Sequence, residues 1–236
     1  MCQLGNDLEA PVTDTFDKHY WERHWEAAGD RAHDRGLLPN PYIARELGDL
    51  APGSALDAGC GEGVEAIWLA VNGWDVTAVD ISSAALDRAR QRARDGKRAR
   101  GIDWVEADLS VWEPGRTFEL VMTNYAHPAI SQLAFYERIA KWVAPGGTLL
   151  IVGHLDVRDH GGEHGGDHIG DPIDGHGVDG HRPPREASVT ADAITELLDS
   201  APWEVVSASE ASRTRRDGAG HSVELHDVVV RARRRV

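Results

Sequence analysis

Apolar residues in the middle of this chain fall into short blocks separated by stretches with helical spacing. Ala55 and Leu56 lead into a glycine turn, and Val76, Ala78 and Val79 form the next block. Trp104-Val105, Leu120-Val121-Met122 and Leu149-Leu150-Ile151-Val152 follow at regular distances. This pattern predicts strands at 54–59, 75–80, 102–106, 118–124 and 147–153, with helices at 62–72, 82–95 and 129–143 between them. Such alternation implies a parallel sheet covered by helices on both faces. Ahead of it, Phe16, Tyr20, Trp21 and Trp25 sit on neighbouring faces of a short helix, and a helix from Pro41 turns Ile43, Leu47 and Leu50 to the core before Ala51-Pro52-Gly53 ends it. After residue 188 the pattern predicts a helix at 189–200 and a hairpin made of 203–209 and 223–233. No internal repeat is present. The expectation is one domain over 1–236, with 1–38 as an N-terminal segment and candidate lid.

The turn itself reads Leu56-Asp57-Ala58-Gly59-Cys60-Gly61-Glu62-Gly63, and Asp80 closes the next strand 21 positions after Gly59. Glycines let backbone approach a ligand, the following helix offers free N–H groups, and an acid at that distance suits ribose hydroxyls. The spacing is G-x-G-x-G, whereas a dinucleotide pyrophosphate is wrapped by G-x-G-x-x-G. Asp57 and Glu62 stand in the turn with no Lys or Arg beside them in sequence. Added anions oppose a diphosphate and suit a ligand bearing positive charge, such as S-adenosylmethionine with its ammonium and sulfonium.

The remaining motifs carry a family resemblance. Ile81-Ser82-Ser83-Ala84-Ala85-Leu86, Trp104-Val105-Glu106-Ala107-Asp108-Leu109, Phe118 to Asn124 and Trp142-Val143-Ala144-Pro145-Gly146-Gly147-Thr148-Leu149-Leu150-Ile151-Val152-Gly153-His154 together resemble class I S-adenosylmethionine-dependent methyltransferases over roughly residues 39–155. Tyr20-Trp21-Glu22-Arg23-His24-Trp25 and Glu65-Ala66-Ile67-Trp68-Leu69-Ala70 look most like the thiopurine and tellurite-resistance branch, which methylates small, soft nucleophiles. The resemblance implies an α/β, Rossmann-like, doubly wound and mostly parallel seven-stranded sheet with a C-terminal antiparallel hairpin.

It also implies a site at the carboxyl ends of the strands. Asp57 is expected to meet the methionine ammonium through water or backbone, Gly59, Cys60 and Gly61 to give backbone approach, and Asp80 to accept from both ribose hydroxyls. Gly63 serves either that approach or helix packing. Ile81 is expected to pack on adenine, Asp108 to meet its amino group and Leu109 its ring. Trp25, with Trp21, is a candidate to close over the sulfonium, a favourable contact for an aromatic face. Asn124, Tyr125 and His127 lie between cofactor and acceptor, with His127 the leading general base and His154 the second. Ordinary structural roles compete at each position: a turn cap for Asp57, a strand stop before Pro128 for His127, core packing for the tryptophans.

Composition narrows the partners. Of 236 residues, 41% are hydrophobic and 27% charged, enough for one well-buried domain. Lys plus Arg number 25 against 39 Asp plus Glu, a formal charge of −14 that repels a phosphate backbone and argues for a small-molecule acceptor over nucleic acid. The only cysteines are Cys2 and Cys60, so no disulfide framework is expected. Acidic residues interrupt the N-terminus and no apolar run approaches the length of about 18 that a membrane span needs, so the expected location is cytoplasmic with no membrane partner. The segment 156–186 holds His160, His164, His168, His176 and His181 among glycines and reads as a solvent-facing lid, with metal binding as the lesser alternative because the glycine pairs oppose a helix. Arg88 to Arg100 form a basic stretch read as a solvated helix face. A cofactor sensor without turnover and an RNA or protein methyltransferase are the competing functions.

Overall fold

A computed structural model describes residues 16–27, 38–95, 101–156, 187–199, 202–216 and 222–236. Its sheet runs β3 (Ile102–Glu106), β2 (Asp75–Asp80), β1 (Ser54–Ala58), β4 (Phe118–Asn124), β5 (Val143–Leu155), β8 (Ser222–Arg234) and β7 (Trp203–Arg216). Pairs among the first five strands are parallel, and β8 is antiparallel to both β5 and β7. The expected seven strands form this path. An eighth, the two-residue β6 (Ser188–Val189), pairs with His154 and Leu155 just past the end of β4 and was not predicted, being too short to carry a pattern.

Helices cover both faces. On one, α5 (Gln132–Ala140) and α6 (Ala191–Leu197) bury Phe135, Tyr136, Ile139 and Ile194 against Phe118, Val121 and Leu149. On the other, α2 (Pro41–Leu47), α3 (Val64–Val71) and α4 (Ser83–Asp95) bury Ile43, Leu47, Leu69 and Leu86 against Ala55, Val76 and Leu120. Full burial of such side chains is the main stabilising term, about 1.5–3 kcal/mol each.

Boundaries differ from the sequence pattern where caps decide them. The helix expected over 129–143 is shortened to α5, because Ser131 caps its start by accepting from the Ala134 N–H and Val143 already pairs with Phe118 in the sheet. The helix expected from 189 starts at Ala191 because Thr190 caps it. The α3 helix begins after Gly63, whose φ of 76° is left-handed and where an added Cβ would lie 2.6 Å from Trp104 and 2.8 Å from Ala89. Of its two expected uses, Gly63 therefore serves close packing of helix on strand. Among the described residues no helix is long and apolar enough to cross a membrane. The histidine-rich loop beyond Asp156, Cys2, and Lys97, Arg98 and Arg100 of the basic stretch lie outside the described residues.

Candidate functional site

The strand order reverses between β1 and β4, and the turns leaving these two strands open a crevice at their carboxyl ends. It encloses about 730 Å3, counting space open to solvent at its mouth, within the range of small-molecule sites. Gly59, Cys60, Gly61, Asp80 and Ile81 line one part, Ala107, Asp108 and Leu109 another, and Asn124, Tyr125, Ala126, His127 and Pro128 a third. Trp25 and Trp21 from α1 (Lys18–Ala27) line it too, together with Phe16. All the expected site residues except Asp57 and the second base candidate, His154, therefore face one space.

Gly59 explains how β1 and β4 approach each other. Its φ is 85°, and a Cβ there would fall 2.2 Å from the Ala126 methyl carbon. Asp80 then ties the loop down: its Oδ2 accepts from the Gly61 N–H at 2.8 Å and its Oδ1 from the Ser82 N–H at 2.9 Å. An ionised carboxylate has about four acceptor positions, so two remain for ligand hydroxyls. Burial pushes the Asp80 carboxyl up to about 6, against the opposing pull of those backbone bonds. Asp108 is similarly turned into a fixed acceptor, taking hydrogen bonds from the N–H and hydroxyl of Ser110.

Asp57 is 1% exposed and sits behind the glycine turn, outside the crevice lining. Among the described residues its carboxyl has only a weak backbone contact, from the Ala66 N–H, and burial together with the charges of Glu65 and Asp80 raises its pKa well above the usual range. Glu65 of α3 does line the crevice, accepting from the backbone N–H of Asn40 at 3.1 Å, and it was not singled out in the sequence. Glu62 was expected to add a free anion; instead Arg92 of α4 pairs with it at 2.7 Å, a partner thirty residues away. The basic stretch is thus not simply a solvated face. Arg92 and Arg88 turn inward, the latter donating to the Trp25 carbonyl at 2.5 Å, while Arg90 stays outside with Asp87.

Glu22 fixes α1 over the crevice. Its carboxylate accepts from the backbone N–H groups of Ser83 and Ala84 and from the hydroxyls of Ser82 and Ser83, at 2.8–3.2 Å, so it caps α4 from another helix. The N–H groups that open α4 are therefore used by Glu22, and Asp80 is left for the loop and a ligand. Trp21 Nε1 donates to the His127 carbonyl at 3.1 Å, completing the attachment.

His127 is buried, with ring neighbours Phe16 at 5.6 Å, Trp21 at 6.4 Å and His154 at 5.2 Å. The Gln132 amide donates to the Ala126 carbonyl, which turns its oxygen to His127 Nδ1 at 3.4 Å. With the amide so oriented, Nδ1 is the donor and Nε2 keeps its lone pair. Burial depresses the pKa of His127 to about 4 and that of His154 to about 3, so both rings are neutral near pH 7. His154 stands behind the lining with its Nε2 buried and unpartnered.

The comparisons match this geometry. Residues 55–147 match the family model of a methyltransferase domain. The matched stretch, which holds the glycine turn, Asp80, Asp108 and Asn124 to Pro128, is that of a methyltransferase domain. It is 33% identical over 137 residues to a probable thiol methyltransferase of Arabidopsis thaliana, covering 55% of this chain and 59% of that protein. It is 27% identical over 156 residues to a thiocyanate methyltransferase of Brassica oleracea, covering 64% and 68%. Among solved structures, TehB from Haemophilus influenzae superposes with a TM-score of 0.64 at 15% identity, over 89% of this chain and 67% of that one. A magnesium protoporphyrin IX methyltransferase from Synechocystis, with bound S-adenosylhomocysteine, gives 0.62 at 17% identity over 92% and 97%.

Solved structures of this fold hold S-adenosylmethionine or S-adenosylhomocysteine, and the residues present here fit that cofactor. Asp57, Glu65 and Asp80 cluster at the glycine-turn end, and a bound ammonium and sulfonium would relieve the burial and mutual repulsion that raise their pKa values, whereas a diphosphate would add to it. A pH dependence follows. On the ribose assignment of Asp80, which needs its ionised form, affinity for S-adenosylhomocysteine should be full above about pH 7 and fall by roughly fivefold between pH 6 and 5. Fold stability should move oppositely. The folded carboxyl holds its proton up to about pH 6 and the unfolded one only to about 4, so ionisation between those values destabilises the fold. Calorimetric titration at several pH values checks the first, and urea unfolding the second; affinity independent of pH would remove Asp80 from the ribose.

Proposed function

We propose that this chain transfers a methyl group from S-adenosylmethionine to a small-molecule nucleophile, a thiol or related soft anion first, a heterocyclic nitrogen or oxygen second. One observation carries the reading: a carboxylate-rich donor end and an uncharged aromatic acceptor end, formed by Phe16, Trp21, Tyr125 and neutral His127, share one crevice. The thiol and thiocyanate methyltransferases among its relatives support the choice of a soft acceptor. The formal charge of −14 supports a small molecule over nucleic acid.

The donor supplies an electrophilic methyl on a positively charged sulfur. Within this reading Asp80 takes the ribose hydroxyls, Ile81 and Leu109 flank the adenine with Asp108 at its amino group, and Asp57 supports from behind the glycine-turn backbone that meets the ammonium. Gly59, Cys60 and Gly61 supply that backbone, and Trp25 covers it from α1, which serves as the lid. Asn124 presents its amide beside the transferring methyl. In-line transfer then depends on alignment and exclusion of water, which the aromatic wall provides. His127 Nε2 is the proton acceptor for nucleophiles that arrive protonated. With its pKa near 4 it is a weak base, so acceptors already ionised near pH 7 are favoured.

Titration with S-adenosylhomocysteine, followed by an S-adenosylhomocysteine product assay over thiols, phenols and azoles, tests the proposal. Binding without turnover on any acceptor would leave a cofactor sensor. His127→Ala should lower turnover on protonated acceptors by about 10²-fold and change pre-ionised ones by less than about threefold. Equal losses on both would reduce His127 to scaffolding.

A further inference from the structure

Tyr125 is the one non-glycine residue among the described residues with positive φ, 54°, and it follows the last residue of β4 at the crevice. A tyrosine adopts this left-handed backbone only where its surroundings hold it there. Three things do so. Its N–H donates to the Val152 carbonyl at 2.9 Å, its ring lies 4.7 Å from that of His154, and its hydroxyl is held on every side. The hydroxyl donates to Asp227 Oδ1 at 2.5 Å and accepts from Arg213 Nη2 at 3.1 Å and from Asn40 Nδ2 at 3.4 Å. One donor and two lone pairs are thereby used, so this hydroxyl has no capacity left for a substrate proton.

Asp227 is fully buried in β8, directly opposite His154 of β5 in the sheet register. Its Oδ2 accepts from Arg213 Nε at 2.6 Å and from the Tyr42 hydroxyl at 3.1 Å. Asn40, besides reaching Tyr125, donates to Asn124 Oδ1 at 3.2 Å. The C-terminal hairpin thus reaches beneath the crevice and grips the residue whose backbone turn delivers Ala126 and His127 to the far wall. Nothing in the sequence links Asp227 and Arg213 to that wall, since they lie 102 and 88 residues from Tyr125.

We propose that Asp227, charge-compensated by Arg213, is a positioning residue for the methyl acceptor: it clamps the Tyr125 hydroxyl so that the Tyr125 ring and His127 form a fixed wall against which the acceptor aligns. The proposal rests on the methyl-transfer reading of the crevice, and its distinct content is that the hairpin governs acceptor alignment without touching donor affinity. Small sideways errors at the reacting centre cost large factors in rate.

Thiophenol serves as the acceptor probe and S-adenosylhomocysteine as the donor-site probe. Asp227→Asn and Tyr125→Phe should each lower kcat with thiophenol by tenfold or more while leaving the S-adenosylhomocysteine Kd within twofold. Because Asp227 acts through Tyr125, the double variant should be no more than threefold worse than the poorer single one. The imidazole proton shifts of His154, set by the neighbouring Tyr125 ring, should move in both single variants. A kcat within twofold of the parent, a donor affinity that falls as far as kcat, or losses that multiply in the double variant would each overturn the clamp. Should Asp227→Asn not fold, Tyr125→Phe decides by the same limits, with Tyr42→Phe as the milder variant that leaves the Arg213–Asp227 pair intact. A parent protein that does not methylate thiophenol counts against the choice of acceptor; the clamp is then judged by the His154 shifts alone, and shifts unchanged in Tyr125→Phe overturn it.

Discussion

Asp80→Ala should weaken S-adenosylhomocysteine binding by about 1.5–3 kcal/mol, roughly 10- to 150-fold in Kd. Two losses combine. On the proposed assignment the variant removes the charged acceptor for the ribose hydroxyls, and it frees the Gly61 and Ser82 N–H groups that the carboxylate holds at 2.8 and 2.9 Å, so the glycine turn loses its anchor. Asp80→Asn separates them, because its single amide oxygen retains part of the anchoring and none of the charge. Its affinity should fall between parent and alanine variant, and the drop in binding between pH 6 and 5 should vanish. Isothermal titration measures all three proteins, and an alanine variant that binds as the parent does would show that the ribose lies elsewhere.

Arg213→Ala should destabilise the fold by about 3–5 kcal/mol in urea unfolding, the usual cost of stranding a buried charge. Asp227 is fully buried and Arg213 is its only cationic partner among the described ion pairs, at 2.6 Å. Once the guanidinium is gone, the carboxylate keeps only the Tyr42 and Tyr125 hydroxyls. Combining Arg213→Ala with Asp227→Asn should recover part of the loss, since removing both charges leaves no uncompensated ion. A single-variant loss below about 1 kcal/mol would mean that water reaches Asp227 and that the pair contributes little.

These two predictions mark the two kinds of information in the molecule. Asp80 was legible from its position after a strand and 21 residues beyond Gly59, because a βαβ unit is short and its periodicity, glycines and terminal acid are all local. The same locality made the five parallel strands, the hairpin, and the crevice-lining residues Gly59, Gly61, Asp108, Asn124 and His127 readable in one pass. Helix boundaries were read less well, since caps such as Ser131 and Thr190 are single residues that a hydrophobic pattern does not weigh.

Tertiary structure alone decided which charges meet. The sequence placed Glu62 as a free anion, and the fold gave it Arg92; it placed Glu22 in a family-like motif, and the fold used it to cap α4. It had no means of connecting Asp227 or Arg213 to Tyr125, because side chains separated by about a hundred residues are joined only when strand order and register bring β8 against β5. Backbone pattern is a near-neighbour property and is written along the chain. Burial, pairing and the depressed pKa of His127 depend on what the sheet gathers around a residue, and those exist only in the folded protein.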